Sequence, residues 1–305
     1  MSKTIAGDMG SDLTHSKLAY GLRLMRWRMR RRVSALRFGR SAIKTSPILF
    51  GNSVPKSGTH LLSQILVAFP QIGLAVDRGM GPVLTFERQT GRERSAAELL
   101  HDLQQLGPGD LCFGHIIAAP QVMEYWRTVN VAHFFMLRDP RDVVVSHAFY
   151  IADKAIQNVH HAYYQSLGSL EERIQVSILG RPDWQGTGSD EFSFPDIATR
   201  YSRYLAWLNE PAICVLRYEE FLQARQENLD KMLDFATRHG FHLSVSRQQA
   251  IQTLTAAIQP QKSFTFRKGE AGNWREHFTA GHKAVFKQVA GQLLIQLGYE
   301  TDLNW

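Results

Sequence analysis

Lys56 is where chemistry could be built in this chain. It lies in Ile48-Leu49-Phe50-Gly51-Asn52-Ser53-Val54-Pro55-Lys56-Ser57-Gly58-Thr59-His60-Leu61-Leu62. There an apolar run breaks into a tight turn, and Leu61, Leu62, Ile65 and Leu66 then recur at helical spacing. A strand feeding a helix through such a turn aims backbone N–H groups at one spot, and the helix dipole acts on the same spot, so an anion is favoured there. Lys56 adds a full positive charge, and Ser57 and Thr59 add hydroxyls. A phosphate-like group is the expected ligand. The nucleotide-binding pattern G-x-x-x-x-G-K-[ST] is incomplete: Gly51 lies five residues before Lys56, but Pro55 stands where the second Gly belongs. On these residues alone, an ordinary strand-turn-helix remains the alternative.

Two further segments could contact phosphate. In Phe134-Phe135-Met136-Leu137-Arg138-Asp139-Pro140-Arg141-Asp142-Val143-Val144-Val145-Ser146, an apolar strand ends in Arg138, and Ser146 follows eight residues later, about two helical turns on. A guanidinium at the C-terminal end of a parallel strand faces the ligand crevice and can grip a phosphate with two hydrogen bonds. The plainer reading is a capped, ion-paired helix start made by Arg138, Asp139, Arg141 and Asp142. The other segment, Arg267-Lys268-Gly269-Glu270-Ala271-Gly272-Asn273-Trp274-Arg275-Glu276-His277-Phe278, is a basic turn whose glycines let backbone close over an anion. A candidate base is His115, which ends the strand-like run Leu111-Cys112-Phe113-Gly114-His115; imidazole can take a hydroxyl proton near neutral pH.

The order Pro-Lys-Ser-Gly-Thr at 55–59 closely resembles the 5′-phosphosulfate loop of sulfotransferases that use 3′-phosphoadenosine 5′-phosphosulfate (PAPS). The segment 134–146 resembles that family's 3′-phosphate motif, and 267–278 its R-K-G-x-x-G-D-W-[KR]-x-x-F, with Asn273 in place of Asp. Three motifs in the family's order span the chain from about 48 to 280, and the chain is identified as similar to the cytosolic-type enzymes. The resemblance implies one α/β domain of P-loop type, with a central five-stranded parallel sheet and helices on both faces. It implies transfer of a sulfuryl group from PAPS to a hydroxyl, less readily an amine, by in-line displacement, with PAP as product and no metal required. Lys56, Ser57, Gly58, Thr59, His60 and Leu61 would then hold the 5′ end of the donor. Arg138, Ser146, Arg267, Lys268 and Gly269 would hold the 3′-phosphate, and His115 would be the base, with Lys56 and Ser146 completing the catalytic set. Leu61 stands where many members carry an adenine-stacking Trp. Thr253 and Tyr218 fall near the family's nucleotide contacts. The family's dimer motif falls on Arg275, Thr279, Ala280 and Ala284 with its Val and Glu lost, so that dimer does not follow and the oligomeric state stays open. The rival readings are an ATP-dependent nucleotide or small-molecule kinase, and a non-catalytic membrane- or partner-binding protein on the same fold.

The elements needed to position these residues are visible as alternating patterns. Strands are expected at Ile48–Val54, Asp110–His115, Val131–Leu137 and Ala212–Leu216. Helices are expected at Thr59–Phe69, Ala96–Leu106, from Pro120, at Asp139–Tyr150, Glu219–His239, Arg247–Ile258 and Gly281–Leu297. Strands alternating with helices imply a parallel sheet covered on both faces. Residues 153–195 read as an excursion, either walling the acceptor site with His160, His161, Tyr163, Tyr164 and Trp184 or forming an exposed helix and loop.

The net charge of +7 is unevenly placed. Residues 1–45 carry eleven Lys or Arg against two Asp, whereas the remaining 260 residues carry twenty-four bases against twenty-six acids. A near-neutral body argues against a nucleic-acid partner. We therefore divide the chain into a basic extension, 1–45, and a catalytic domain, 46–305. Within the extension Leu18, Leu22, Met25, Met29, Val33 and Leu36 fall on one face of a helix over about 18–38, flanked by arginines. Three readings fit it: a helix on an anionic membrane surface, a helix packed on the protein's own body with a solvated basic side, or an organelle-targeting presequence. No signal peptide or membrane-spanning run is visible. The two cysteines, Cys112 and Cys214, lie in apolar runs and suit a reducing, cytoplasmic setting, with peripheral membrane attachment open.

Overall fold

The computed structural model describes residues 17–87, 90–181, 194–263 and 268–305, with side chains from residue 21 onward. Two helices, α1 (Lys17–Phe38) and α2 (Arg40–Thr45), precede β1 (Ile48–Ser53) and α3 (Thr59–Ile72). Two-residue strands β2 (Val76–Asp77) and β3 (Val83–Leu84) lead to α4 (Ala96–Leu103), β4 (Asp110–His115), α5 (Pro120–Thr128) and β5 (Val131–Leu137). Next come α6 (Pro140–Asp153), α7 (His161–Ser166), α8 (Leu170–Leu179), α9 (Ile197–Leu205) and β6 (Ile213–Arg217). The chain closes with α10 (Tyr218–Gln223), α11 (Arg225–Arg238), α12 (Arg247–Ala257), α13 (Trp274–His277) and α14 (Ala280–Gln296).

The sheet runs β2-β4-β1-β5-β6, with β3 pairing beside the end of β4 as a short sixth strand. Each of these pairings is parallel. The five-stranded path expected from the sequence is present. Alternation along each strand divides its side chains between two cores. Ile48 and Phe50 of β1, with Phe135 and Leu137 of β5, face the larger core under α4, α5, α6, α8, α9 and α14. Leu49, with Ala132, Phe134 and Met136, faces the other, under α3, α11 and α12. Both faces of β1 and β5 are buried, which explains their largely apolar sequences, and the polar exceptions are bonded inside: Asn52 Nδ2 donates to Ile116 O and His133 Nδ1 accepts from Trp126 Nε1.

β1 sits between β4 and β5, so the chain leaves it toward one side and returns on the other. The loops after β1, β4 and β5 therefore open one crevice at the carboxyl edge of the sheet, where ligands of open α/β folds bind. The three candidate groups, Lys56, His115 and Arg138, all lie there.

Several expectations need correction. The helix expected over Glu219–His239 is two, broken at Ala224, whose φ of −130° and ψ of 55° are not helical. Of the excursion after residue 153, the described part up to residue 181 is mostly helical and packed on the body. Its helices α7 and α8 pack against α6 and extend the main core, with Tyr164, Ile174 and Ile178 buried. Tyr164 donates to or accepts from Ser177 at 2.9 Å within that core. Trp184 lies outside the described residues. Cys112 and Cys214 are buried free thiols. Among the described residues, no helix is long and apolar enough to cross a membrane.

Candidate active site

The turn after β1 is built by backbone geometry that few sequences support. Ser57 N–H donates to Val54 O at 3.1 Å, closing the turn. Lys56 has φ 72° and Gly58 φ 104°, both left-handed. For a lysine that conformation costs on the order of 1 kcal/mol, and backbone strain of this kind collects at functional sites. The N–H of Ser57 is thus spent inside the turn. The first-turn N–H groups of α3, from Thr59 on, are the ones directed at the mouth of the turn.

Gly58 answers two demands. Besides its positive φ, a Cβ there would lie 2.6 Å from Cδ2 of Tyr218, the first residue of α10. Gly58→Ala is therefore expected to open the turn, lower the melting temperature by several degrees (about 2 kcal/mol from the φ penalty and the clash) and weaken nucleotide binding. A thermal melt and a PAP titration check both effects.

Lys56 Nζ rests 3.7 Å from the centroid of the Tyr150 ring, nearly three turns into α6 from its start. Burial, then the charges of Arg138 and Lys154, push its pKa down to about 7. Among the described residues no carboxylate is ion-paired with it, and an arriving anion would favour its charged form.

Arg138, just beyond β5, joins the turn to the far end of the chain. Its Nη1 donates to Lys56 O at 3.5 Å, and its Nη2 donates to Glu270 O at 2.8 Å. Its guanidinium also lies 4.5 Å from the Tyr218 ring centroid and 3.4 Å from Asp142. Lys56, Arg138, Tyr218 and the 268–272 turn are thus one cluster, although more than 200 residues separate its first and last members.

Asp142 fastens that cluster, a role the sequence did not reveal. Its carboxylate accepts from Gly272 N at 2.8 Å and from Trp274 N at 2.9 Å, pinning the C-terminal turn to the first turn of α6. The backbone at Arg138 is clamped as well: Tyr201 Oη donates to Arg138 O at 2.7 Å, and Asp139 N donates to Glu219 at 2.9 Å. Asp139 also caps α6 and pairs with buried Arg141, which reaches Glu300 and lies over Trp274 and Trp305. The segment 138–146 is therefore an ion-paired helix start and a site wall at once.

His115 ends β4 next to β1. Its Nδ1 is 2.8 Å from Ser53 O, an acceptor only, so Nδ1 carries a proton, and Nε2 is the ring nitrogen able to act as a base. Ser53 Oγ bridges His115 Nδ1 (3.3 Å) and Thr59 Oγ1 (2.8 Å), which ties the histidine to the same turn as Lys56.

The remaining candidates are placed as follows. The Ser57 hydroxyl is buried beside Tyr201. His60 and Leu61 lie in the first turn of α3, and Leu61 packs at the margin of the second core. Ser146 is half-buried on α6, one turn before Tyr150. Thr253 is on α12, which packs on α3, and its hydroxyl donates to Gln249 O of its own helix. Lys268 is exposed and ion-paired with Glu276, which also accepts from Asn273; Arg138 does not share that pair. Gly269 and Gly272 take positive φ, as a turn over an anion needs. Arg267 lies outside the described residues.

A family model described as "Sulfotransferase domain" matches residues 123–298. That span includes Arg138, Ser146, Tyr218, Thr253 and the 267–278 segment; Lys56 and His115 lie before it. Among solved structures, mouse sulfotransferase SULT7A1 complexed with PAP is similar at 15% identity with a TM-score of 0.55, covering 83% of this chain and 88% of that one. Retinol dehydratase in complex with androsterone and inactive cofactor PAP is similar at 15% identity, TM-score 0.51, over 83% of each chain. The complex of retinol dehydratase with retinol and PAP gives 0.52 at the same identity and coverage. At that identity these structures speak for the fold. No curated protein sequence matches the chain.

Proposed function

The chain belongs to the sulfotransferase domain family, and from that we propose that it moves a sulfuryl group from PAPS to the hydroxyl of an acceptor by in-line displacement. The observation that carries the reading is Arg138, whose guanidinium touches both the Lys56 turn and the turn at Glu270. A donor with anionic groups at its 5′ and 3′ ends suits that arrangement, and the three similar solved structures named above are complexes with PAP.

The roles follow from charge and reach. Lys56 and the first-turn N–H groups of α3 meet the negative charge that grows on the 5′-phosphate as its bond to sulfur breaks. His115 Nε2 takes the acceptor's proton as the new oxygen–sulfur bond forms, while Ser53 O holds Nδ1–H and fixes the ring. Arg138, with Ser146 and the glycine turn at 269–272, receives the 3′-phosphate, while Asp142 holds that turn against α6. Tyr218, stacked on Arg138 and against Gly58, borders the nucleotide between the two ends. Leu61 and Thr253 lie on the α3 and α12 side, which supports aliphatic packing for the adenine.

The test is transfer from radiolabelled PAPS to a panel of alcohols, phenols, amines, glycans and lipids, with ATP and magnesium in a parallel arm. Label moving from PAPS to an acceptor is the expected result; phosphoryl transfer from ATP in its place would overturn the assignment. His115→Ala is expected to lower turnover by roughly a hundred- to ten-thousandfold with PAP affinity preserved. Wild-type turnover in that variant would remove His115 as the base.

A further inference from the structure

α1 is docked on the body by the side that a globular helix normally turns to water. Trp27 Nε1 donates to Asp110 Oδ1 at 2.8 Å, and Arg31 Nη1 donates to the same oxygen at 2.9 Å. Arg30 pairs with Asp77, and the Arg78 guanidinium lies 4.0 Å from the Trp27 ring centroid. The Asp110 side chain is fully buried under this contact. The apolar stripe points the other way. Trp27 is two positions from both Met25 and Met29, about 160° round the helix. Leu22, Met25, Met29, Val33 and Leu36 are 44%, 53%, 58%, 63% and 88% exposed.

The charge around this stripe selects what could cover it. Residues 17–45 hold ten Lys or Arg and no Asp or Glu. Arg26 lies on one margin of the stripe and Arg28 and Arg32 on the other, all exposed. A groove beside it, between α1 and α2, is lined by Arg31, Arg32, Arg40, Lys44, Leu36 and Ile43. A second copy seated stripe to stripe would bring Arg26, Arg28 and Arg32 against their own copies with no acid on either helix to offset them. An anionic lipid interface meets every term: it takes up flexible apolar side chains and attracts the arginines along their margins.

We propose that the outward face of α1 is a docking surface for anionic membranes, held in position by the Trp27 and Arg31 bonds to Asp110. The surface does not rest on the chemistry proposed for the Lys56 site. The full chain is floated with vesicles of phosphatidylcholine alone and of phosphatidylcholine mixed with phosphatidylglycerol. Binding to the mixed vesicles is expected to be tighter by about tenfold or more and to weaken as salt is added. The double variant Met29→Glu, Val33→Glu should lose about tenfold or more of that binding while its thermal melt stays that of wild type, since both side chains are exposed. Equal binding to the two vesicle types, or vesicle binding retained in the double variant, overturns the proposal. So does concentration-dependent self-association that the double variant abolishes without any vesicle binding, which would assign the stripe to a second copy of the chain.

Discussion

Lys56→Ala is expected to lower turnover by about a thousandfold or more while affinity for the intact donor PAPS falls by only about tenfold. The asymmetry follows from where the charge develops: the 5′-phosphate gains its negative charge as the sulfur–oxygen bond breaks, so the ammonium contributes most at that moment. A second readout comes from its pKa of about 7. An anion beside Lys56 must raise that value, so PAP binding should draw in a proton in the window above pH 7, and affinity should fall as pH rises through it. Calorimetry in two buffers of different ionisation enthalpy measures that uptake. The same shift bears on folding. The unfolded lysine keeps its ordinary value of 10.5, so between about 7 and that value the unfolded chain binds the extra proton. Stability from this group therefore rises with pH across that window. Wild-type turnover in Lys56→Ala, or PAP binding without proton uptake that depends on Lys56, would remove the lysine from the mechanism.

Arg138→Ala should weaken binding of 3′,5′-bisphosphorylated adenosine by about a hundredfold and that of AMP by only a few fold. The guanidinium sits between the turn at Lys56 and the carbonyl of Glu270, so its loss removes the group that distinguishes a nucleotide with a 3′-phosphate from one without. Competition binding with the two nucleotides measures the ratio. An unchanged ratio would place the 3′-phosphate elsewhere. Arg138→Lys should recover little, because a single ammonium cannot span two acceptors in the way a planar fork does.

The parts of this site legible in the sequence are those written locally. β1, β4 and β5 announce themselves because strands covered on both faces are predominantly apolar, and Lys56, His115 and Arg138 stand at or just beyond their carboxyl ends. What holds these residues together is not written locally. Asp142 reads as one acid in a helix start, yet its oxygens accept from backbone about 130 residues away. Tyr150, Tyr201 and Glu219 acquire their roles only because three helices converge on one strand end. β2 and β3, at two residues each, are too short to carry a period. The sharpest departure is α1. Its periodicity correctly marks a helix, but the usual inference that the apolar face packs inward fails. A buried carboxylate at Asp110 offers Trp27 and Arg31 bonds that win the docking contest.

The seat of α1 also sets a distance. It lies at the start of β2 and β4, whereas His115 is the last residue of β4, five strand steps or about 16 Å away. The helix itself adds about 10 Å. With α1 resting on lipid, these two lengths set the greatest separation between His115 and the surface, some two helix diameters. Acceptors whose hydroxyl stands within that span of the surface are the ones such a tethered enzyme could modify.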